Sequence, residues 1–310
     1  MAYDIIGDIH GQADKLHGLL AQLGYESRGG AYRHKERTAI FVGDFIDRGP
    51  GQLESVMTVR RMVDAGSAQA IMGNHEFNAI AWHTLDPDHP GDFLRPHEGE
   101  IGRKNRSQHA AFLAEVADDP ALHAEVIDWF LTLPLWIDLP GIRVVHACWH
   151  DGYMNEIRPH LTPSLQLTRE LMISASRSGR MEFRTVEGLT KGLEIDLPNG
   201  HMFHDKDGHP RHNVRIRWWD TNATTYRDLA IMPEDLRERL PTLAVARDAR
   251  SPYDNAKPVF FGHYWMTGQP VLQSDSAACV DYSAAKEGPL VAYRWNGEPT
   301  LGATNFVSVG

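Results

Sequence analysis

Apolar positions along this chain fall into two alternating periods. Tyr3 to Gly7 and Thr38 to Val42 are short apolar runs that stop at or beside a glycine, as buried strands do, and Ala68 to Met72 is a third. Between them, Ala13 to Leu23 places Leu16, Leu19, Leu20 and Leu23 at helical spacing. Leu53 to Val63 repeats that period with Val56, Met57, Val59 and Val63. Alternation of strand and helix predicts an α/β domain with largely parallel strands. Each strand runs into a glycine followed by polar residues, so the loops after Ile6, Val42 and Met72 are expected to meet where ligands gather, at the carboxyl ends of the strands.

Beyond Asp86 the pattern loosens. Residues 86–120 carry Pro87, Pro90 and Pro96 among many charges and read as an insertion with a short helix around Gln108 to Val116. Ala121 to Leu131 reads as a helix, and Leu135 to Leu139 and Ile142 to Val145 as strands joined by the Pro140-Gly141 turn. Leu161 to Ser176 is expected to be helical. Asn213 to Trp219 alternates as a strand, with Val214, Ile216 and Trp218 on one face and Arg215, Arg217 and Trp219 on the other. Val259 to Phe261, Ala277 to Val280 and Leu290 to Trp295 are late strands. The expectation is one domain over residues 1–310, with residues about 153–255 a cap or insertion within it.

Composition narrows the class. The chain has 310 residues, 42% hydrophobic and 23% charged, ordinary values for a chain that buries a full core. Its formal net charge is -10. Phosphate-backbone affinity comes mostly from lysine and arginine, so nucleic acid is not an expected partner. Two cysteines, Cys148 and Cys279, do not require a disulfide. No basic, apolar leader opens the chain, and no apolar run approaches the roughly 20 residues that cross a bilayer. A cytoplasmic location and no membrane partner are therefore expected. Nothing in the pattern speaks to oligomeric state.

Five short motifs carry the chemistry: Gly7-Asp8-Ile9-His10-Gly11, Gly43-Asp44-Phe45-Ile46-Asp47-Arg48-Gly49, Gly73-Asn74-His75-Glu76, Val145-His146-Ala147 and Gly262-His263-Tyr264. Asp8, His10, Asp44, Asn74, His146 and His263 together offer nitrogen and oxygen donors and no thiolate. That set suits divalent manganese, iron(II) or zinc. Six side chains exceed what one ion with open positions needs. One carboxylate bridging two ions about 3.5–4 Å apart resolves the count.

These motifs resemble the calcineurin-like metallophosphoesterases, and within them the branch of the PPP-type protein phosphatases, from about Tyr3 to His146 and again near His263. The resemblance implies a four-layer αββα sandwich of two mixed sheets, with the cap as its insertion. It implies that Asp8 and His10 bind the first ion (manganese for preference), that Asp44 bridges, and that Asn74, His146 and His263 bind the second. It further implies that Arg48 grips the phosphoryl group, that His75 is the general acid, and that Asp47 orients His75. A hydroxide held by the two ions is then expected to attack phosphorus. The Glu of Gly73-Asn74-His75-Glu76 is similar to the protein phosphatases, where symmetrical diadenosine tetraphosphatases usually have Asp; Glu76 is also expected to cap the following helix.

Weaker signals complete the expectation. Arg215 and Arg217 are candidate substrate anchors, and Asp281 is a candidate support for the ligands. The histidines and aspartates from His201 to His212 read as a solvated hairpin. The leading expectation is a phosphomonoesterase acting on a phosphoprotein or small phosphorylated metabolite. The alternative is a nucleotide hydrolase that splits diadenosine tetraphosphate symmetrically.

Overall fold

The computed structural model of the protein describes residues 1–198, 200–204 and 209–310. The chain opens with β1 (Ala2–Ile6) and α1 (Ala13–Leu23), whose buried face carries the four leucines their spacing predicts. A hairpin of β2 (Glu26–Arg28) and β3 (Ala31–Arg33) precedes β4 (Arg37–Phe41), α2 (Gln52–Asp64) and β5 (Ala68–Ala70). Three helices follow: α3 (Asn74–His83), α4 (Gly99–Val116) and α5 (Pro120–Phe130). Strands β6 (Trp136–Asp138) and β7 (Arg143–Val145) pair antiparallel across the Pro140-Gly141 turn. The next stretch holds α6 (Asp151–Ile157), α7 (Arg169–Ala175), α8 (Met181–Lys191) and the short strands β8 (Glu194–Asp196), β9 (Phe203–His204), β10 (Pro210–Arg211) and β11 (Asn213–Arg215). After short helical turns, β12 (Val259–Phe261), β13 (Ala277–Cys279), β14 (Leu290–Trp295) and β15 (Phe306–Val309) complete the chain.

Among the described residues, five strands form a mixed sheet in the order β15-β14-β1-β4-β5, and four form a second in the order β13-β12-β7-β6. β1, β4 and β5 are mutually parallel, as are β7, β12 and β13. The alternation of strand side chains then builds the layers. Ile5 and Ile40 of the first sheet share one apolar core with Val144, Phe260 and Ala278 of the second, and Phe260 lies 5.0 Å from Tyr293, ring centre to ring centre. Ile6 and Phe41 point the other way, into the core with Leu16, Leu19 and Val56 of the helices. The second sheet is covered in turn by Trp218 and Trp219, whose rings lie 5.0 and 4.8 Å from Phe261. Helix, sheet, sheet and covering layer reproduce the expected αββα sandwich.

Several expectations are corrected. The helix expected from Gln108 extends back to Gly99. Its first half buries only Gly102 and Asn105 among charged residues, so it shows no apolar stripe. Leu161 to Ser176 is helical only from Arg169: Pro163 interrupts it, and Leu165 sits at φ 63°. The strand expected to Trp219 ends at Arg215. β9 and β10 form the expected hairpin near His201, although Asp205 and the Asp207-Gly208 turn lie outside the described residues.

Candidate metal centre

Both sets of parallel strands deliver their carboxyl ends to one place. His263 follows β12, and its backbone N–H donates to Asp8 Oδ2, after β1, at 2.9 Å, joining the two sheets through a single side chain. So close a convergence demands glycine. A Cβ on Gly262 would fall 2.0 Å from Asp8 Oδ1, and one on Gly73 would fall 2.2 Å from Asp44 Oδ1. His10, Asp44, Asp47, Arg48, His263 and Trp265 all hold positive φ, from 49° to 89°. Such backbone strain persists where the surroundings over-determine it, often at functional sites.

The donors converge on Asp44. Its Oδ2 lies 3.8 Å from His10 Nε2, 3.8 Å from His75 Nε2 and 3.4 Å from His146 Nε2. Two groups of possible ligand atoms, His10/Asp44/His75 and Asp44/His146/His263, each fit within 4.8 Å and share Asp44. Asn74 Oδ1 completes the second group, 2.8 Å from His263 Nδ1 and 3.2 Å from His146 Nε2. The imidazoles are oriented for ligation. His10 Nδ1 faces Ile46 O at 2.9 Å and His146 Nδ1 faces Val42 O at 2.7 Å, so each Nδ1–H donates to a carbonyl and turns Nε2 inward.

A cation fits this arrangement. Asp8 Oδ1, His10 Nε2 and His263 Nε2 are buried without a hydrogen-bond partner, which is costly unless something else satisfies them. Burial, and the charges of Asp281 and Asp44, push Asp8 well above the ordinary carboxylate range. Burial and the neighbouring His75 hold His10 down at about 4, neutral as a ligand must be. Burial opposes a charge on His146 also, but Asp44 and Asp8 draw a proton to it and raise it to about 10; a cation held by these residues would take that proton's place.

Beside the donors stands a chain of three side chains. Asp47 Oδ2 is 2.5 Å from His75 Nδ1, and Asp47 Oδ1 is 2.7 Å from His109 Nδ1. Burial opposes the Asp47 charge, yet the hydrogen bonds from His109 and His75 hold the carboxyl down at about 2. His109 was not foreseen. It lies 62 residues from Asp47, and its sequence signal is a polar residue in the buried row Asn105, His109, Phe112 and Val116 of α4. Glu76 caps α3 as expected, accepting the Gly73 N–H at 3.0 Å, but it also accepts the N–H groups of Asp44 and Phe45, both at 2.8 Å. It ties the Asp44 loop to the Asn74 loop and is fully buried.

A cavity of about 530 Å³ opens over the centre, lined by Asp44, Arg48, Asn74, His75, His263 and, beyond the sequence expectations, Trp265 and Lys286. The Arg48 guanidinium is 5.9 Å and Lys286 Nζ 4.6 Å from the centre of the Trp265 ring. Asp281 accepts the N–H groups of Trp265 at 2.6 Å and Ser283 at 3.0 Å, and so fixes the loop that follows His263. Burial pushes it up to about 6. Arg215 pairs with Glu194 at 3.4 Å, and its charge helps hold His263 below the ordinary range, after the effect of burial. Arg217 is separated from it. With β11 ended at Arg215, Arg217 donates to Asp228 O and lines a different cavity with Asp220 and Arg237. Arg215 and Arg217 thus line different cavities.

Comparison with known proteins agrees with this geometry. The family model described as calcineurin-like phosphoesterase matches residues 1–177. The asymmetrical bis(5'-nucleosyl)-tetraphosphatase PrpE of Halalkalibacterium halodurans is 47% identical over 76 residues, 24% of this chain and only 31% of that protein. The symmetrical bis(5'-nucleosyl)-tetraphosphatase of Klebsiella pneumoniae is 34% identical over 303 residues, covering 95% of this chain and 92% of that one. Among solved structures, a protein serine/threonine phosphatase from Saccharomyces cerevisiae aligns with a TM-score of 0.49 and 13% identity, covering 100% of this chain and 79% of that chain. The motifs, the two mixed sheets and a relative matched over most of its length thus converge: the chain belongs to the calcineurin-like phosphoesterase family.

Proposed function

We propose that this enzyme hydrolyses dinucleoside polyphosphates, cleaving a phosphoanhydride bond at a binuclear metal centre bridged by Asp44. The observation that carries the centre is the shared carboxylate, one side chain common to two donor groups. The substrate class follows the relative that matches almost end to end and is named a symmetrical bis(5'-nucleosyl)-tetraphosphatase. Glu76, the residue that inclined the sequence toward protein phosphatases, is buried in backbone hydrogen bonds and does not line the cavity. Its weight in the choice of substrate falls accordingly. In this reading the chain is one domain, with residues 153–255 as its cap.

Asp8, His10, Asp44, Asn74, His146 and His263 would hold the two ions; the thiolate-free set suits manganese, with iron(II) or zinc also compatible. Bound divalent ions supply charge for the phosphoryl oxygens and a nucleophile at neutral pH. The remaining work falls to the chain. Arg48, in the cavity wall beside Trp265, faces the space a phosphoryl group would fill and neutralises its equatorial oxygens. Burial opposes a charge on His75, yet Asp44 and the hydrogen bond to Asp47 raise its pKa above the ordinary value, so the imidazolium keeps Nδ1–H on Asp47 and carries Nε2–H toward the cavity. There His75 is placed to give a proton to the leaving phosphate oxygen as the bridging P–O bond breaks.

Product analysis tests this. Manganese-loaded protein and Asp44→Asn would be incubated with diadenosine tetraphosphate, an aryl phosphomonoester, an aryl diester and a phosphopeptide. The proposal expects adenosine diphosphate as the sole nucleotide product and loss of turnover in Asp44→Asn. Rapid cleavage of the monoester and phosphopeptide with no cleavage of the tetraphosphate would replace it with the phosphomonoesterase reading.

A further inference from the structure

A second and larger cavity, of about 1110 Å³, opens along α8 and β11. Ligand pockets of about 300–1,000 Å³ hold drug-sized molecules, so this one accommodates far more than a single phosphate. Its charge is the reverse of the protein's. Among the described residues, Lys104, Arg180, Arg184, Lys191, Arg211 and Arg215 line it, against Glu187 and Glu194, on a chain whose net charge is -10. Lys191 pairs with Glu187, Arg215 with Glu194 at 3.4 Å and Arg184 with Glu156 at 2.5 Å. Among the described residues, the exposed side chains of Lys104 and Arg180 have no ion-pair or hydrogen-bond partner.

Among the described residues, the two cavities have no lining residue in common, but the cleft comes near the surroundings of the centre on two sides. Gly192 forms the wall between the cleft and the residue after His263: a Cβ there would lie 2.5 Å from Tyr264 Oη and 3.5 Å from Arg215 Cδ. On the other side, Arg95 lies within the fields of both Asp47, in the centre, and Glu187, in the cleft. It is held there by a 2.8 Å hydrogen bond to Gln108 Oε1. The cleft also presents flat apolar surface, from Phe183 and Phe203. The Arg184 guanidinium sits 5.5 Å from the centre of the Tyr153 ring. Cations beside aromatic faces, near the proposed phosphoryl-transfer centre, match a ligand with several phosphates and a planar base.

We propose that this cleft is the subsite for the distal nucleotide of the substrate, with Lys104, Arg180, Arg184 and Arg215 along its phosphates and Phe183 and Phe203 against its base. The inference rests on the dinucleoside polyphosphate reading and adds to it where the half of the substrate beyond the scissile bond lies.

The test uses full-length, manganese-loaded protein with Lys104→Glu, Arg180→Glu and the double variant, and Arg180→Lys as the conservative control. These exposed side chains have no partner to lose, so melting temperatures are expected to stay near wild type. Two quantities are read: the ratio of kcat/KM for diadenosine tetraphosphate to that for an aryl phosphomonoester, and the Kd for adenosine diphosphate by calorimetry. The ratio is expected to fall about tenfold per reversal, mainly through KM, with a loss that shrinks as salt rises and with Arg180→Lys near wild type. A double variant within about twofold of wild type in both quantities would overturn the subsite. If wild type fails to cleave the tetraphosphate, the functional reading falls on its own. Weaker adenosine diphosphate binding by the double variant would then still uphold the cleft as a nucleotide site, and unchanged binding would remove it as well.

Discussion

Gly262→Ala places a methyl group against a proposed metal ligand without touching any ligand's chemistry. The new Cβ would stand 2.0 Å from Asp8 Oδ1, 2.9 Å from Val42 Cγ2 and 3.0 Å from Asp8 Cγ, where ordinary contacts begin near 3.4 Å. About 1.4 Å must therefore be found by moving one of them. The Gly262 backbone is pinned by its N–H bond to His146 O at 2.8 Å. Val42 is fully buried between the sheets. Asp8 is the group able to yield, and rotating it also strains the His263 N–H bond to Asp8 Oδ2. Overpacking of this kind costs about 1–3 kcal/mol. Directed at the centre, that is about 5- to 150-fold weaker ion binding. The assay is a manganese titration with metal analysis, with Gly302→Ala as control, since a Cβ there meets only Thr304 Oγ1 at 4.0 Å. Wild-type affinity and stoichiometry in Gly262→Ala would refute the claim that Asp8 ligates in the position the structure gives it.

Further outcomes follow from the neighbouring side chains. Asp47 has a depressed pKa, about 2 against an ordinary 3.8, so its contribution to stability is present above about pH 4 and lost as pH falls through about 2. Urea unfolding should show Asp47→Asn less stable by about 2 kcal/mol at pH 7, with the gap narrowing below pH 4; a gap that does not narrow would contradict the assignment. His109→Ala leaves Asp47 with one partner and should lower kcat about 10- to 100-fold with little change in KM, partly restored by His109→Gln. Equal losses in kcat and thermal stability with no rescue would make His109 only a packing residue. Glu76→Gln presents an N–H₂ to backbone donors that now face a carboxylate, and should destabilise the fold by about 2–4 kcal/mol as measured by denaturant titration.

The sequence made the donors legible because their geometry is local. Each sits within a few residues of a strand end, and the strands leading to Asp8, Asp44 and His263 announce themselves as apolar runs closed by glycine. What it concealed is whatever the fold supplies from afar. His109 reaches Asp47 from a helix in an irregular insertion, and Trp265 and Lys286 enter the cavity from loops without periodicity. α8 was hidden for another reason: its buried face includes Thr185, Gly188 and Thr190, so the helical stripe is only partly apolar. The arginines of the covering layer show the limit of a period of two. Alternation puts Arg215 and Arg217 on one face only while the strand continues, and it stops at the first of them. Glu76 was read correctly as a cap, yet its bonds to Asp44 and Phe45 depend on two loops brought together by the sheet.

The central claim is that one carboxylate joins two ions. Electron paramagnetic resonance during manganese titration tests it most directly, with bound metal counted in the same samples. The account predicts two ions per chain, an exchange-coupled multiline signal from ions about 3.5–4 Å apart, and loss of that signal in Asp44→Asn. One ion per chain with an uncoupled six-line spectrum, or a coupled pair that persists in Asp44→Asn, would contradict it.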